Sequence, residues 1–168
     1  MVGSRLSSLL FSLAKARSRR LDSLRYIMMA GYSGTPLIKK LGIKSGFRVA
    51  FVNAPADFVQ GLDVPSETTV SSASSRRPLD FVLLFVKSKQ ELAAKFSPTA
   101  AKLKPDGMLW VSWPKKASGV KTDLTDNVVR ELGLSEGLVD VKVCAVDEVW
   151  SGLKFVFRLQ DRPRLRAF

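Results

Sequence analysis

The residues of this chain that could do chemistry fall at three places. Lys115 and Lys116 follow the apolar run Met108–Trp113 and Pro114, and precede the small, flexible Ala117-Ser118-Gly119. Two ammonium groups beside such a turn suit a phosphate or a carboxylate, with backbone N–H groups at Ser118 and Gly119 as further donors. Asp147 and Glu148, just ahead of Trp150 and Ser151, could exchange protons or give oxygen ligands to a divalent ion. Two carboxylates alone are too few for a protein-only cage, so no metal site is expected. Trp113 and Trp150 could stack on a planar ligand, and Asn53, after a second apolar run, could contact one. Each has a plainer role too. The lysines could pair with Asp147 or Glu148, the tryptophans could be buried against a sheet edge, and Asn53 could cap the next helix. Cys144, inside an apolar strand, reads as a buried and inert thiol.

What is missing narrows the chemistry further. There is no histidine, and Cys144 is the one cysteine. Ser-His-Asp and Cys-His nucleophile systems are excluded, as are the usual histidine-containing zinc sites. A general base must be Asp, Glu, Lys, Tyr or a thiolate. A lone cysteine makes no internal disulfide, which fits a cytoplasmic protein.

The elements that must position these residues read as an alternation of strands and helices. Thr35 caps a helix with Pro36 in its first turn and Leu37, Ile38 and Leu41 on its apolar face, and Gly42 ends it. Phe47–Asn53 is a strand apolar on both faces. Pro55 breaks it, and a short helix follows over Ala56–Leu62. Thr68-Thr69-Val70 is a weak strand, and Ser71–Pro78 a Ser/Arg loop. Leu79–Val86 is the second strong strand. A helix from Ser88 to about Lys104 begins with a capping box, Ser88 with Glu91, and is kinked or split by Pro98. Lys104–Gly107 is a turn ahead of the strand Met108–Trp113. A helix Asp126–Leu132 is capped by Asp123 or Thr125 and closed by Gly133. Leu138–Val146 and Leu153–Leu159 are strands joined by the turn Asp147–Gly152. This order predicts an α/β three-layer sandwich, a mostly parallel Rossmann-like sheet ending in an antiparallel hairpin. In such a sheet ligands sit at the carboxyl ends of the strands. Asn53, Lys87-Ser88, Trp113–Lys116 and Asp147–Gly152 should therefore share one edge.

At 168 residues, 46% apolar and 25% charged, the chain suits one globular domain. Its net charge of +12 is concentrated at the ends. Residues 1–30 carry six Arg/Lys against one acid, and residues 158–168 carry four Arg against Asp161. Residues 31–157 hold 17 basic and 13 acidic side chains, only +4. Residues 1–30 read as a basic extension, disordered or upstream of a true start at Met28 or Met29; 31–159 as one α/β domain; and 160–168 as a frayed basic tail. Tyr32-Ser33-Gly34 is an N-terminal brace or lid. Tail-driven binding to a polyanion would be weak and salt-sensitive. No stretch is long and apolar enough to span a membrane.

Two family resemblances follow from particular residues. Leu103-Lys104-Pro105-Asp106-Gly107-Met108-Leu109-Trp110 is similar to a strand-leading motif of S-adenosylmethionine-dependent methyltransferases, and the element order over 36–159 matches that fold. Those enzymes follow their first strand with an acidic, glycine-rich loop. Here Val52 is followed by Asn53-Ala54-Pro55-Ala56-Asp57-Phe58, with no glycine before Gly61. Side chains at those positions and a missing N–H at Pro55 speak against that cofactor, so none is expected. The chain also resembles a bacterial family catalogued as domain of unknown function 3052. Gly31–Leu37, Leu41–Lys44, Val52–Pro55, Trp113–Val120, Thr122–Thr125, Val141–Asp147 and Trp150–Lys154 carry that likeness. The resulting expectation is a non-catalytic module for a small anionic ligand or a protein partner. The alternatives are a divergent methyltransferase-like enzyme using the Lys115/Lys116–Asp147/Glu148 edge, and nucleic-acid association through the tails.

Overall fold

The computed structural model describes residues 34–165. The chain divides at Thr35/Pro36, and every helix and strand described belongs to the unit Pro36–Phe168. The expectations for residues 1–30, for Tyr32-Ser33 and for the end of the basic tail lie outside the described residues.

Six strands form one sheet. β1 (Arg48–Val52), β2 (Thr69–Val70), β3 (Leu79–Phe85), β4 (Leu103–Pro114), β5 (Leu138–Ala145) and β6 (Trp150–Phe157) lie in the order β2-β1-β3-β4-β6-β5. The first four strands are parallel, and β6 runs antiparallel to both of its neighbours. The last strand is thus inserted between the two that precede it. β3 and β4 are the strands most apolar on both faces, and they occupy the centre, where both faces are covered.

Among the described residues four helices, α1 (Leu37–Leu41), α2 (Lys89–Ala100), α3 (Asp126–Ser135) and α4 (Arg162–Leu165), accompany the sheet. Alternation along the strands divides the core in two. Val82, Leu84, Leu109, Val111, Leu153 and Phe155 pack with Leu92 and Phe96 of α2 and Val129 of α3. Phe81, Leu83, Phe85 and Trp110 pack on the other face with Ile38 and Leu41 of α1. The expected α/β three-layer sandwich is what forms.

Several local expectations are corrected, each for a physical reason. Pro36, not Thr35, stands at the start of α1; its carbonyl accepts from the N–H groups of Lys39 and Lys40, and no side chain caps the helix. Residues 56–62 form only a 3-10 turn, Val59–Gly61, since Pro55 removes a donor and Gly61 weakens any continuation. Pro98 does not split α2, which runs on to Ala100; its missing N–H forfeits one bond, that to the carbonyl of Ala94. Residues 104–107 are not a free turn but an irregular start of β4. That strand takes five steps from Leu103 to Met108 while β3 takes two from Leu79 to Phe81. A Cβ on Gly107 would stand 2.9 Å from the Leu79 carbonyl oxygen, so the crowding there admits only glycine. Asp80 fixes the region by accepting from Arg48 N at 2.8 Å and Lys104 Nζ at 2.6 Å.

Gly133 and Gly152 were expected at a helix end and in a turn, and both serve packing instead. Gly133 lies inside α3, where an added Cβ would meet the Phe155 ring at 2.1 Å. Gly152 lies inside β6, with Trp110 Cε3 3.2 Å from where its Cβ would be. The hairpin turn therefore shortens to Asp147–Val149. Past β6, Arg162–Leu165 forms one helical turn where a frayed tail was expected, with Arg162 Nε donating to Phe157 O at 3.3 Å.

Candidate functional site

β1, β3 and β4 are parallel, and β5, antiparallel to β6, runs with them, so the segments after all four meet at one edge. This edge has two halves. The first is built around Asn53, which takes a left-handed backbone with φ 54°. Asparagine tolerates that region better than most side chains. Its Nδ2 donates to Glu91 Oε1 at 2.9 Å and to Phe85 O at 3.4 Å. Asn53 therefore caps no helix; it ties the turn after β1 to the end of β3 and the start of α2. Glu91 is the joint. Its other oxygen accepts from Lys87 N at 2.9 Å, and its own N–H donates to Ser88 Oγ at 3.2 Å. The loop after β4 fastens onto the same place, with Thr122 Oγ1 donating to Lys87 O at 2.7 Å and Asp123 Oδ1 accepting from Lys89 N at 2.8 Å.

Lys115 and Asp147 build the second half. Lys115 N donates to Val149 O at 2.7 Å, and its ammonium to the Asp147 carbonyl at 2.6 Å. The Asp147 carboxylate is committed elsewhere, accepting from Val149 N and Trp150 N, each at 2.7 Å. Ser118 Oγ donates to Lys115 O at 2.6 Å and accepts from Val120 N at 3.2 Å. Lys115, Ser118 and Asp147 thus shape two adjoining turns, while Lys116 and Glu148 are the exposed charges.

The two tryptophans do not come together. Trp113 is buried with α2 and α3, and Trp150 with α1, on opposite faces of the sheet. Between the halves runs an aromatic row instead. The Phe85 ring lies 4.9 Å from Phe58 and 5.0 Å from Trp150, both edge-on, a geometry that adds to area burial. Ser151 belongs to β6, and its carbonyl accepts from the buried Ser112 hydroxyl at 2.9 Å. Cys144 is half-buried; burial raises its thiol above the ordinary value, opposed by the charges of Lys142, Lys40 and Lys115. A shallow cavity of about 210 Å³ lies away from this edge, against α2, lined by Ala50, Val52, Val82, Ala94 and Pro98 among others. Sequence reasoning missed the role of Glu91 at the edge and that of Thr122 altogether, since their partners lie 38 and 35 residues away.

No protein-family model matches the chain, and no curated protein matches it. Solved structures do. Magnesium protoporphyrin IX methyltransferase from Synechocystis PCC 6803, with bound S-adenosylmethionine, matches at 13% identity and TM-score 0.51, over 73% of this chain and 74% of that one. Fibrillarin, a pre-rRNA processing protein, from Methanococcus jannaschii matches at 12% and 0.54, over 80% and 74%. Fibrillarin from Aeropyrum pernix, with natively bound S-adenosylmethionine, matches at 12% and 0.50, over 79% and 74%. At such identities the shared feature is the fold, that of Rossmann-like methyltransferases. Two of these structures hold the cofactor, and that finding overturns the expectation that no cofactor, and not S-adenosylmethionine, belongs with this scaffold. The expectation rested on side chains and on the missing N–H of Pro55 in the loop after β1; that loop nonetheless opens with a left-handed residue, Asn53, in place of glycine.

Proposed function

We propose that this chain is a divergent methyltransferase-like domain that takes S-adenosylmethionine at the edge after β1 and β3. The observation that carries this reading is the left-handed turn at Asn53, bound to Glu91, at the carboxyl end of β1. The residues present fit the group in kind. Asn53 Oδ1 has no hydrogen-bond partner among the described residues, and Asp57 is exposed close by in sequence, so the turn offers acceptors to a cationic ligand. Ala54 and Ala56 bring only methyl groups to it, and the half-buried Phe58 adds an aromatic surface, which favours a cation. Bound there, the cofactor would supply a methyl group carried on a positively charged sulfur. The chain's own contribution is alignment and exclusion of water rather than strong base catalysis, since it has no histidine and its edge carboxylates Asp147 and Glu91 accept backbone N–H groups. Lys116 and Glu148, exposed at the other half, are the groups available to an acceptor molecule.

The likeness to the bacterial family of unknown function supports the same edge. Of the residues that carry it, Asn53, Lys115, Ser118, Thr122, Asp123 and Asp147 all take part in the contacts at this edge. Titration calorimetry of the full chain with S-adenosylmethionine and S-adenosylhomocysteine tests the reading. Saturable binding on the order of 10 µM is expected, weakened at least about tenfold by Asn53→Val and less by Asn53→Gly, which keeps the left-handed turn but loses the amide. No saturable heat at about 1 mM of either compound would sink it.

A further inference from the structure

On the α1 face of the sheet, Lys142 and Lys154 stand together without an ion pair to any described residue. In the β5–β6 pairing, Lys142 stands directly opposite Lys154. Such partners have Cβ atoms about 4.5–5.5 Å apart, and like charges there destabilise the pair. Leu153 and Phe155 belong to the core under α2 and α3, so alternation puts Lys154 on the opposite face. Lys142 reaches that face as well, its ammonium donating to Lys40 O near the end of α1 at 3.3 Å. Lys44, exposed on the turn after α1, adds its field. Burial first, then the charges of Lys142 and Lys44, hold the Lys154 ammonium below the ordinary lysine value.

Among the described residues no carboxylate pairs with Lys44, Lys142 or Lys154. The ion pairs among the described residues are Lys104–Asp80, Arg130–Asp126 and Arg130–Asp140, none of which involves Lys44, Lys142 or Lys154. Asp140, two residues before Lys142, is held by Arg130 of α3 at 2.9 Å, and Asp147 is held by backbone N–H groups. A repulsive pair placed mid-strand, facing a third lysine from another element, costs stability in the free protein. An oxyanion would repay that cost. Three convergent point charges call for more than the single charge of a carboxylate, and lysine binds phosphate in this way.

We propose that Lys44, Lys142 and Lys154 form a binding site for phosphate groups, separate from the carboxyl edge and from the basic tails. The ligand is either a small phosphate compound or a nucleic-acid backbone, and both present the same chemistry. Thermal unfolding of the full chain at fixed ionic strength, with pyrophosphate or with a short single-stranded oligonucleotide, tests this. The wild type should gain about 3 °C or more with at least one probe. The double variant Lys142→Gln/Lys154→Gln should unfold at a higher temperature than the wild type without probe, and should lose most of the gain. Lys44→Gln, on an exposed turn, makes the same test without touching the sheet and should also reduce the gain. A response to pyrophosphate identifies a small ligand, and a response to the oligonucleotide alone identifies a backbone. No gain in the wild type with either probe, or equal gains in wild type and variants, overturns the proposal.

Discussion

Gly133 is buried inside α3 because the Phe155 ring fills the space a side chain would take. Gly133→Ala should therefore cost about 1–3 kcal/mol, the usual range for overpacking. The penalty should shrink when Phe155 is Leu, and urea unfolding of the four members of that cycle measures the coupling. The thiol of Cys144 makes a second prediction. Burial raises it despite three nearby lysines, so alkylation in the folded protein should have its pH midpoint above that of the urea-unfolded chain. A raised thiol contributes stability that is full below its unfolded pKa and is lost as pH rises through the folded one. Lys154, lowered by burial and by Lys142 and Lys44, works in the opposite sense. Its contribution is present above the unfolded lysine pKa and lost as pH falls through the folded one. In Cys144→Ser, which removes the opposing thiol, stability should rise with pH across that alkaline window. Stability falling there with pH would contradict this account of Lys154.

At the scale of elements, what could be read ahead was what is local. Ser88 caps α2 and Thr125 caps α3, each accepting an N–H three residues on, because caps are settled within one turn. Ser88→Ala should cost about 1 kcal/mol in urea denaturation. Glu91→Ala should cost more, since it also releases Asn53 and the N–H of Lys87. The functions of Gly107, Gly133 and Gly152 were not legible, because each depends on an atom from another strand or helix. The same holds for Asn53, whose left-handed backbone is held by Glu91 and the Phe85 carbonyl, 38 and 32 residues away. β5 gives an example of protection: its register slips at Val141, between Asp140 and Lys142. A bulge and a lysine on an edge strand discourage pairing with another chain. Deletion of Val141, which restores an even ladder, should increase self-association in light scattering.

For the whole molecule, the layered architecture was legible from apolar strands alternating with helices, and so was the edge where the loops collect. Which loop residues touch one another was not, because Asn53 meets Glu91 and Lys115 meets Asp147 only once the sheet has assembled. The sheet order has a further effect. β6 comes last in sequence among the described strands, yet it lies between β4 and β5 and is the only one of them that β5 pairs with. A chain cut after Val149 should fail to give native near-ultraviolet circular dichroism. Translation imposes this cut on every copy for a time. As the polypeptide leaves the ribosome, β1 to β4 can align while β4 still shows an open edge, and β5 emerges with nothing to join. Until Phe157 is free of the exit tunnel the nascent protein is half-closed, so slow decoding of codons 150–157 would lengthen its exposure to chaperones and proteases.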